Sequence, residues 1–174
     1  MHLGCSWRRQ QQKSRGEVIL KLNWQKTTAI LALALTVALV PLPGLARANG
    51  ARGERVVRTA LSYLGRPYIF GATGPGAFDC SGFTRFVMNR AVGIRLPRTA
   101  ASQSRVGRAI ARTNLQPGDL VFFQNTYKPG VSHVGIALGD GRMVHAWTRG
   151  GVRIDRLSQS YFVAKYHSSR TVLR

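Results

Sequence analysis

The chain has 174 residues, of which 26 are lysine or arginine and only six are aspartate or glutamate. This length suits one ordinary domain with a real hydrophobic core and some additional sequence. Only one of the two cysteines, Cys80, lies beyond residue 48, which excludes an intramolecular disulfide in the folded part.

The N-terminal 48 residues predict a secretory signal peptide. Basic residues come first, an apolar run follows over 29–40, and the sequence LARA at 45–48 ends in a small-x-small pattern. A membrane anchor is the alternative, but two prolines and a glycine interrupt the apolar run well short of the ~20 residues that a spanning helix needs. We therefore expect cleavage after residue 48, export to the periplasm, cell envelope or medium, and a single domain over 49–174.

The stretch AFDCSGFTRFV predicts a helix that begins with a cysteine. Asp79 is a good N-cap residue, and Gly93 supplies a stop signal. Four residues at helical spacing form a stripe that faces the core: Cys80, Phe83, Val87 and Ala91. An earlier helix is expected over 56–64 and a short third helix over 99–106.

Cys80 would lie in the first turn of this helix, where unpaired backbone N–H groups and the helix dipole favour a thiolate. We expect the thiol pKa to fall from ~8.5 into a range of roughly 3.5 to 7.5. The plain alternative is a small buried hydrophobe, which is the commoner situation of an isolated cysteine. A lone thiol at a helix start in an exported chain favours a nucleophile.

Two histidines lie in one predicted hairpin, VSHVGIALGDGRMVHAWT. A two-residue turn would put His133 and His145 on opposite faces, whereas a three-residue loop over 139–141 pairs Gly135 with His145 and makes the histidines diagonal neighbours. Small residues on the face of His133 are expected to let a helix approach it. Each histidine alone is explained as well by a structural bond to the backbone. Together with Cys80, the pair matches a nucleophile, base and orienter.

Strands dominate the second half of the chain. Five are predicted, over 120–124, 134–138, 143–148, 152–154 and 162–166. Because the helices precede the strands, the fold class is α+β.

Four segments, GRPYIFGATGPGAFDCSGFTRFV, LPRTAASQ, PGDLVFF and SHVGIALGDGRMVHA, resemble in this order the NlpC-type cysteine peptidases of bacterial cell walls. The resemblance implies a papain-like α+β fold, with N-terminal helices on an antiparallel sheet of about five strands. It also implies hydrolysis of peptidoglycan stem peptides, usually between γ-D-glutamate and diaminopimelate. The alternatives are an N-acetylmuramoyl-L-alanine amidase with the same residues and a non-catalytic wall-binding protein.

The resemblance also implies residue roles. It makes Cys80 the nucleophile, His133 the general base and His145 the polar third member. Tyr68 would lie beside the thiol and help to stabilise the oxyanion together with the Cys80 backbone N–H. Asp79 and Ser81 match positions associated with the substrate's free amine and nearby polar groups, and Arg98 is also implied in substrate binding.

Charge is the remaining feature of the folded part. Seven basic residues and one acidic residue precede position 49, which leaves 19 basic and five acidic residues and a formal charge of +14. This favours anionic wall polymers or a membrane surface as partners, although a solvated surface explains it equally well because the basic residues form no cluster in the sequence. Specific nucleic-acid binding is disfavoured, since no recognised motif is present. We expect a monomer without metal or cofactor.

Overall fold

The structure, a computed structural model, describes residues 43–173, with side chains from residue 50 onward. Most of the predicted signal peptide therefore lies outside the described residues, and residues 43–48 belong to the first helix. The helices are α1 (Pro43–Leu61), α2 (Cys80–Val92), α3 (Ala100–Gln103) and α4 (Ser160–Lys165). None of these described helices is long and apolar enough to cross a membrane.

Helix α2 begins and ends at the predicted residues. A side-chain oxygen of Asp79 accepts a hydrogen bond from the Gly82 N–H at 2.6 Å, which caps the first turn. Gly93 has a φ of 73°, and its N–H bonds back to the Asn89 carbonyl. The cap fixes Cys80 as the first residue of the helix.

Six strands form one sheet in the order β1-β6-β2-β3-β4-β5, and every neighbouring pair is antiparallel. The strands are β1 (Arg108–Ile110), β2 (Leu120–Gln124), β3 (Val131–Ala137), β4 (Arg142–Trp147), β5 (Gly151–Arg156) and β6 (Tyr166–Thr171). The predicted α+β class is confirmed; four of the five predicted strands correspond to β2–β5, and β1 and β6 were not predicted.

Two hydrophobic clusters flank the central strands. The first joins α1 and α2 to the sheet and includes Val56, Phe83 and Ile136. The second includes Phe123 of β2 and Phe162 of α4. Alternation along β3 explains the division, because Ile136 belongs to the first cluster and its neighbour Ala137 to the second.

The predicted strand over 162–166 is wrong. Residues 160–165 form α4, and the strand begins at Tyr166. Apolar residues at alternate positions suggested a strand, but in the structure Phe162 packs against Phe123 while Val163 is exposed. Strand β6 was missed because its sequence, YHSSRT, is polar, although its Ser169 and Thr171 are buried.

Candidate active site

Cys80 lines a cavity of about 240 Å³. Its side chain is 4% exposed, and Sγ lies 3.8 Å from the Ser132 carbonyl oxygen, to which it donates. The backbone N–H of Val134 also points at the sulfur. The thiol thus lies against the main chain on both sides of His133, and among the described residues no hydrogen bond joins it to the His133 ring.

The expected low thiol pKa is contradicted. Burial, followed by the nearby Asp79 carboxylate, raises the pKa of Cys80 to about 11, although the N–H groups of Val134, Ser81 and Cys80 act in the opposite direction. The helix start therefore contributes as predicted but is outweighed by desolvation. At neutral pH the resting thiol is protonated, so it would need a base to act as a nucleophile.

The hairpin between β3 and β4 has the three-residue loop that the histidine pairing requires. The Leu138 N–H bonds to the Arg142 carbonyl at 2.9 Å, and residues 139–141 form the loop between them. Ile136 pairs with Val144, and the next position of this register places Gly135 opposite His145. The predicted pairing is confirmed.

His133 and His145 meet directly as diagonal neighbours. His133 Nε2 lies 2.7 Å from His145 Nδ1, and both rings are buried. Burial, and then the neighbouring His145, lowers the pKa of His133 well below its usual value. Burial also lowers the pKa of His145, although the hydrogen bond to Asp155 opposes the shift. Both rings are neutral at pH 7.

The small residues beside His133 do not serve the helix, which corrects our interpretation. A Cβ on Gly135 would lie 2.8 Å from the Met143 sulfur and 3.3 Å from the His145 Cβ, so this glycine makes room for side chains of β4. Val134 and Ile136, which alternate with His133, pack in the first cluster with α2, so the body of this helix lies on the other face of β3. Its first residue, Cys80, reaches the main chain beside His133. The histidine rings instead contact three aromatic side chains, Phe123, Trp147 and Phe162.

Asp155 is a site residue that the sequence did not reveal. It lies on β5, is 7% exposed, and its Oδ2 lies 2.9 Å from His145 Nε2. The hydrogen bond with His145 is the main reason that its pKa falls to about 2. Finding Asp155 needs the register between β4 and β5, in which His145 faces Arg153. The signal available in the sequence was a carboxylate two residues beyond Arg153, on the same face of β5.

Asp79, Ser81 and Arg98 are brought together beside the thiol. Arg98 forms a two-pronged ion pair with the Asp79 carboxylate and donates to the Ser81 hydroxyl at 3.1 Å. Asp79 also accepts from the N–H groups of Gly71 and Gly82. Burial alone would raise the pKa of Asp79, but these bonds, led by that from Arg98, lower it. Asp79 is therefore fully engaged within the protein.

Residues 65–171 match the NlpC/P60 family. The chain belongs to this family. Over 111 residues it is 47% identical to a gamma-DL-glutamyl hydrolase of Bacillus subtilis, covering 63% of this chain and 27% of that protein. Over 105 residues it is 43% identical to a probable endopeptidase p60 of Listeria monocytogenes, covering 60% and 21% respectively. The chain thus spans about a quarter or less of the length of these two relatives.

Solved NlpC/P60 structures share the fold. A family protein from Bacillus cereus superposes with a TM-score of 0.66 and 36% identity, covering 70% of this chain and 40% of that one. The NlpC/p60 domain of the peptidoglycan hydrolase SagA gives a TM-score of 0.61 and 31% identity, covering 69% and 98%. The part of this chain that superposes corresponds to nearly the whole SagA domain.

Tyr68 lines the same cavity of this NlpC/P60 domain as Cys80. Burial is the main cause that raises its pKa to about 12, and the nearby Cys80 adds to it, so the phenol keeps its proton. An isolated bridge to Phe78 holds Tyr68 next to the start of α2. Within residues 43–173, no group of three or more His, Cys, Asp or Glu is placed to hold a metal ion.

Proposed function

We propose that this chain is a cysteine peptidase that hydrolyses stem peptides of peptidoglycan. The observation that carries the proposal is a thiol that lines a cavity and packs against the strand segment that bears a buried pair of hydrogen-bonded histidines. This is the arrangement of a nucleophile with a base and an orienting group. The names of the two relatives, a hydrolase of glutamyl bonds and a probable endopeptidase, agree with it.

The chemistry starts from a neutral thiol and a neutral imidazole. As Sγ of Cys80 attacks the scissile carbonyl carbon, its proton passes to Nδ1 of His133, because Nε2 is occupied by His145. This transfer requires Sγ to leave the Ser132 carbonyl and approach the ring. The Cys80 N–H and the protonated Tyr68 hydroxyl serve as donors to the oxyanion. His133 then gives the proton to the leaving amine, and the thioester forms. Water, deprotonated by His133, hydrolyses this thioester and restores the thiol.

The bond we propose is the one between γ-D-glutamate and diaminopimelate. A γ-linked glutamate keeps a free α-carboxylate beside the scissile amide, which a cationic group can recognise. Arg98 and Lys128 line the cavity, and the Arg98 side chain is 37% exposed despite its ion pair with Asp79. We assign Arg98 to this carboxylate. Asp79 and Ser81 orient Arg98. A substrate amine that binds Asp79 has to compete with Arg98 for the carboxylate.

The test is to digest a defined muropeptide with the full-length protein and to identify the products by mass spectrometry. An endopeptidase releases a fragment with a new amine on diaminopimelate, whereas an amidase releases the whole stem peptide from the muramic acid. The matched control pair is His133→Ala, which should abolish cleavage, and His167→Ala, which removes an exposed histidine and should not. A muropeptide that is still intact after prolonged digestion would contradict the proposed hydrolysis and favour the non-catalytic wall-binding protein.

Export is part of this proposal, because the substrate lies outside the cytoplasm. The basic segment, apolar run and LARA sequence before residue 49 support it. N-terminal sequencing of protein recovered outside the cytoplasm should begin at or near Asn49. A sequence that still contains the apolar run would instead indicate a membrane-anchored enzyme.

A further inference from the structure

The two histidines and Asp155 form a continuous chain of hydrogen bonds. His133 Nε2 lies 2.7 Å from His145 Nδ1, and His145 Nε2 lies 2.9 Å from Asp155 Oδ2. All three side chains are at most 7% exposed. Each of the three ring nitrogens in these hydrogen bonds has one partner. The donor of each bond can therefore be deduced by starting from the Asp155 carboxylate.

The assignment starts at Asp155, because an ionised carboxylate can only accept hydrogen bonds. His145 must therefore carry its proton on Nε2. A neutral imidazole has a single N–H, so Nδ1 of His145 is bare and accepts from His133. His133 must then carry its own proton on Nε2, which leaves its Nδ1 without a proton. That lone pair is what a general base for the thiol needs.

The surroundings keep Asp155 in place and ionised. Its other oxygen, Oδ1, accepts from Arg153 Nη2 at 2.7 Å and from Gln159 Nε2 at 3.3 Å. These two donors occupy Oδ1 and leave Oδ2 for His145. Phe123, Trp147 and Phe162 surround the rings, so the direct partners rather than solvent determine which tautomer is stable.

We propose that Asp155 is a positioning residue that fixes the tautomers of both histidines and so makes Nδ1 of His133 the catalytic base. Asp155 acts through His145 and His133 and does not itself contact substrate. The inference depends on the proposed function for its catalytic consequence, whereas its tautomer assignment can be tested on the resting protein.

Two-bond ¹H–¹⁵N correlation spectra of the full-length protein with labelled histidine test the assignment directly. Both buried histidines should show the Nε2–H tautomer at pH 7 in the parent protein. Asp155→Asn should give a mixture of tautomers, because the amide can also donate to His145. An Nδ1–H tautomer of His145 in the parent, or unchanged tautomers in Asp155→Asn, would overturn the proposal.

Kinetics supply the second readout. We expect Asp155→Asn to lower kcat by between about tenfold and 10⁴-fold, with KM within about threefold of the parent, because an orienting carboxylate acts mainly on the transition state. Asp155→Glu, which can only accept, should recover part of the loss. The control is Asp140→Asn, since Asp140 is exposed and pairs with Arg142 in the hairpin loop.

The two claims fail in different ways. A parent protein that shows the predicted tautomers yet cleaves no stem peptide would contradict the proposed function and support the tautomer assignment. An active parent whose Asp155→Asn variant keeps its full kcat would contradict the role of Asp155 and leave the proposed function standing.

Discussion

At Cys80, two electrostatic effects on the thiol pKa oppose each other. The N–H groups at the start of α2 and the Val134 N–H stabilise a thiolate, whereas burial and the Asp79 carboxylate destabilise it. Burial prevails because the thiol is only 4% exposed and a buried charge loses its hydration. In the proposed mechanism the thiol is therefore activated by proton transfer during the reaction and is not a preformed anion.

This balance predicts the pH dependence of thiol alkylation. Because the thiolate is the reactive form and the pKa of Cys80 is raised to about 11, its alkylation by iodoacetamide should keep rising with pH through 8, 9 and 10. Peptide mapping by mass spectrometry at each pH gives the rate at Cys80. A rate that already reaches its plateau below pH 7 would indicate a resting thiolate and contradict the raised pKa.

The base predicts the acidic side of the activity profile. The proposed mechanism needs neutral His133, and burial lowers its pKa well below 6.5, so the ring stays neutral to a lower pH than an exposed histidine does. We expect kcat/KM on a soluble stem peptide to fall only below pH 6.5. A decline centred at or above pH 6.5 would show that the base is an exposed or differently paired group.

His145 connects the base to Asp155, and its removal should slow catalysis without ending it. We expect His145→Ala to lower kcat by between about tenfold and 10⁴-fold, since the thiol and His133 remain. His145→Asn or His145→Gln should recover part of this, because an amide oxygen can accept the hydrogen bond from His133. Thermal unfolding must be measured alongside kcat, since the ring is fully buried. A fully active His145→Ala variant would reduce the site to Cys80 and His133.

At the scale of elements, the hairpin between β3 and β4 determines whether the site exists. Strand β2 was predicted at its observed bounds, and helix α2 begins after the predicted N-cap and ends at the predicted stop glycine. Both carry strong local signals: a buried apolar run in β2, and a cap with a stop glycine in α2. The sequence left a two-residue turn and a three-residue loop open; only the three-residue loop puts both histidines on the same face, and the structure has it.

The features that were not predicted from the sequence depend on contacts between distant elements. Strand β6 is polar, and its place between β1 and β2 follows from the ladder rather than from its own pattern. Asp155 reaches His145 only through the β4–β5 register. The thiol pKa depends on how deeply α2 is buried, which no local pattern states. In each case the missing information is non-local packing.

Gly135 tests the packing of this hairpin. An alanine Cβ there would crowd the Met143 sulfur and the His145 Cβ, so we expect Gly135→Ala to lower the free energy of unfolding by about 1–3 kcal/mol and to reduce kcat by displacing His145. The matched control is Gly76→Ala, where a Cβ meets nothing within 4 Å. Denaturant unfolding and stem-peptide kinetics check both variants. Unchanged stability and kcat in Gly135→Ala would contradict the contacts described.

At the scale of the whole molecule, the basic charge is not spread evenly as the sequence suggested. Arg112, Arg142 and Arg156 line a cavity of about 620 Å³ that shares no lining residue with the Cys80 cavity. Arg142 faces Arg156 directly across β4 and β5, an arrangement that like charges disfavour. Asp140 is the single acidic residue in the lining of this arginine cavity.

We expect the arginine cavity to bind phosphodiester polymers of the cell envelope. Replacing Arg142 and Arg156 by glutamine should weaken binding to a poly(glycerol phosphate) chain by about tenfold or more, because a lost charge-assisted hydrogen bond costs about 1.5 kcal/mol. The control replaces Arg55 and Arg58, which are exposed on α1, so that the net charge matches. Titration at several salt concentrations gives the affinities. Equal weakening by both pairs would indicate net charge alone, without a site.

The most direct test of the account is the rate at which Cys80→Ala cleaves a defined stem peptide. Alanine keeps a small side chain in the first cluster, so the variant should unfold at a temperature close to that of the parent. We predict a loss of at least about 10³-fold in kcat/KM, because no other group in the cavity can form the thioester. A folded Cys80→Ala protein that retains a tenth or more of the parent's activity would contradict the proposed mechanism.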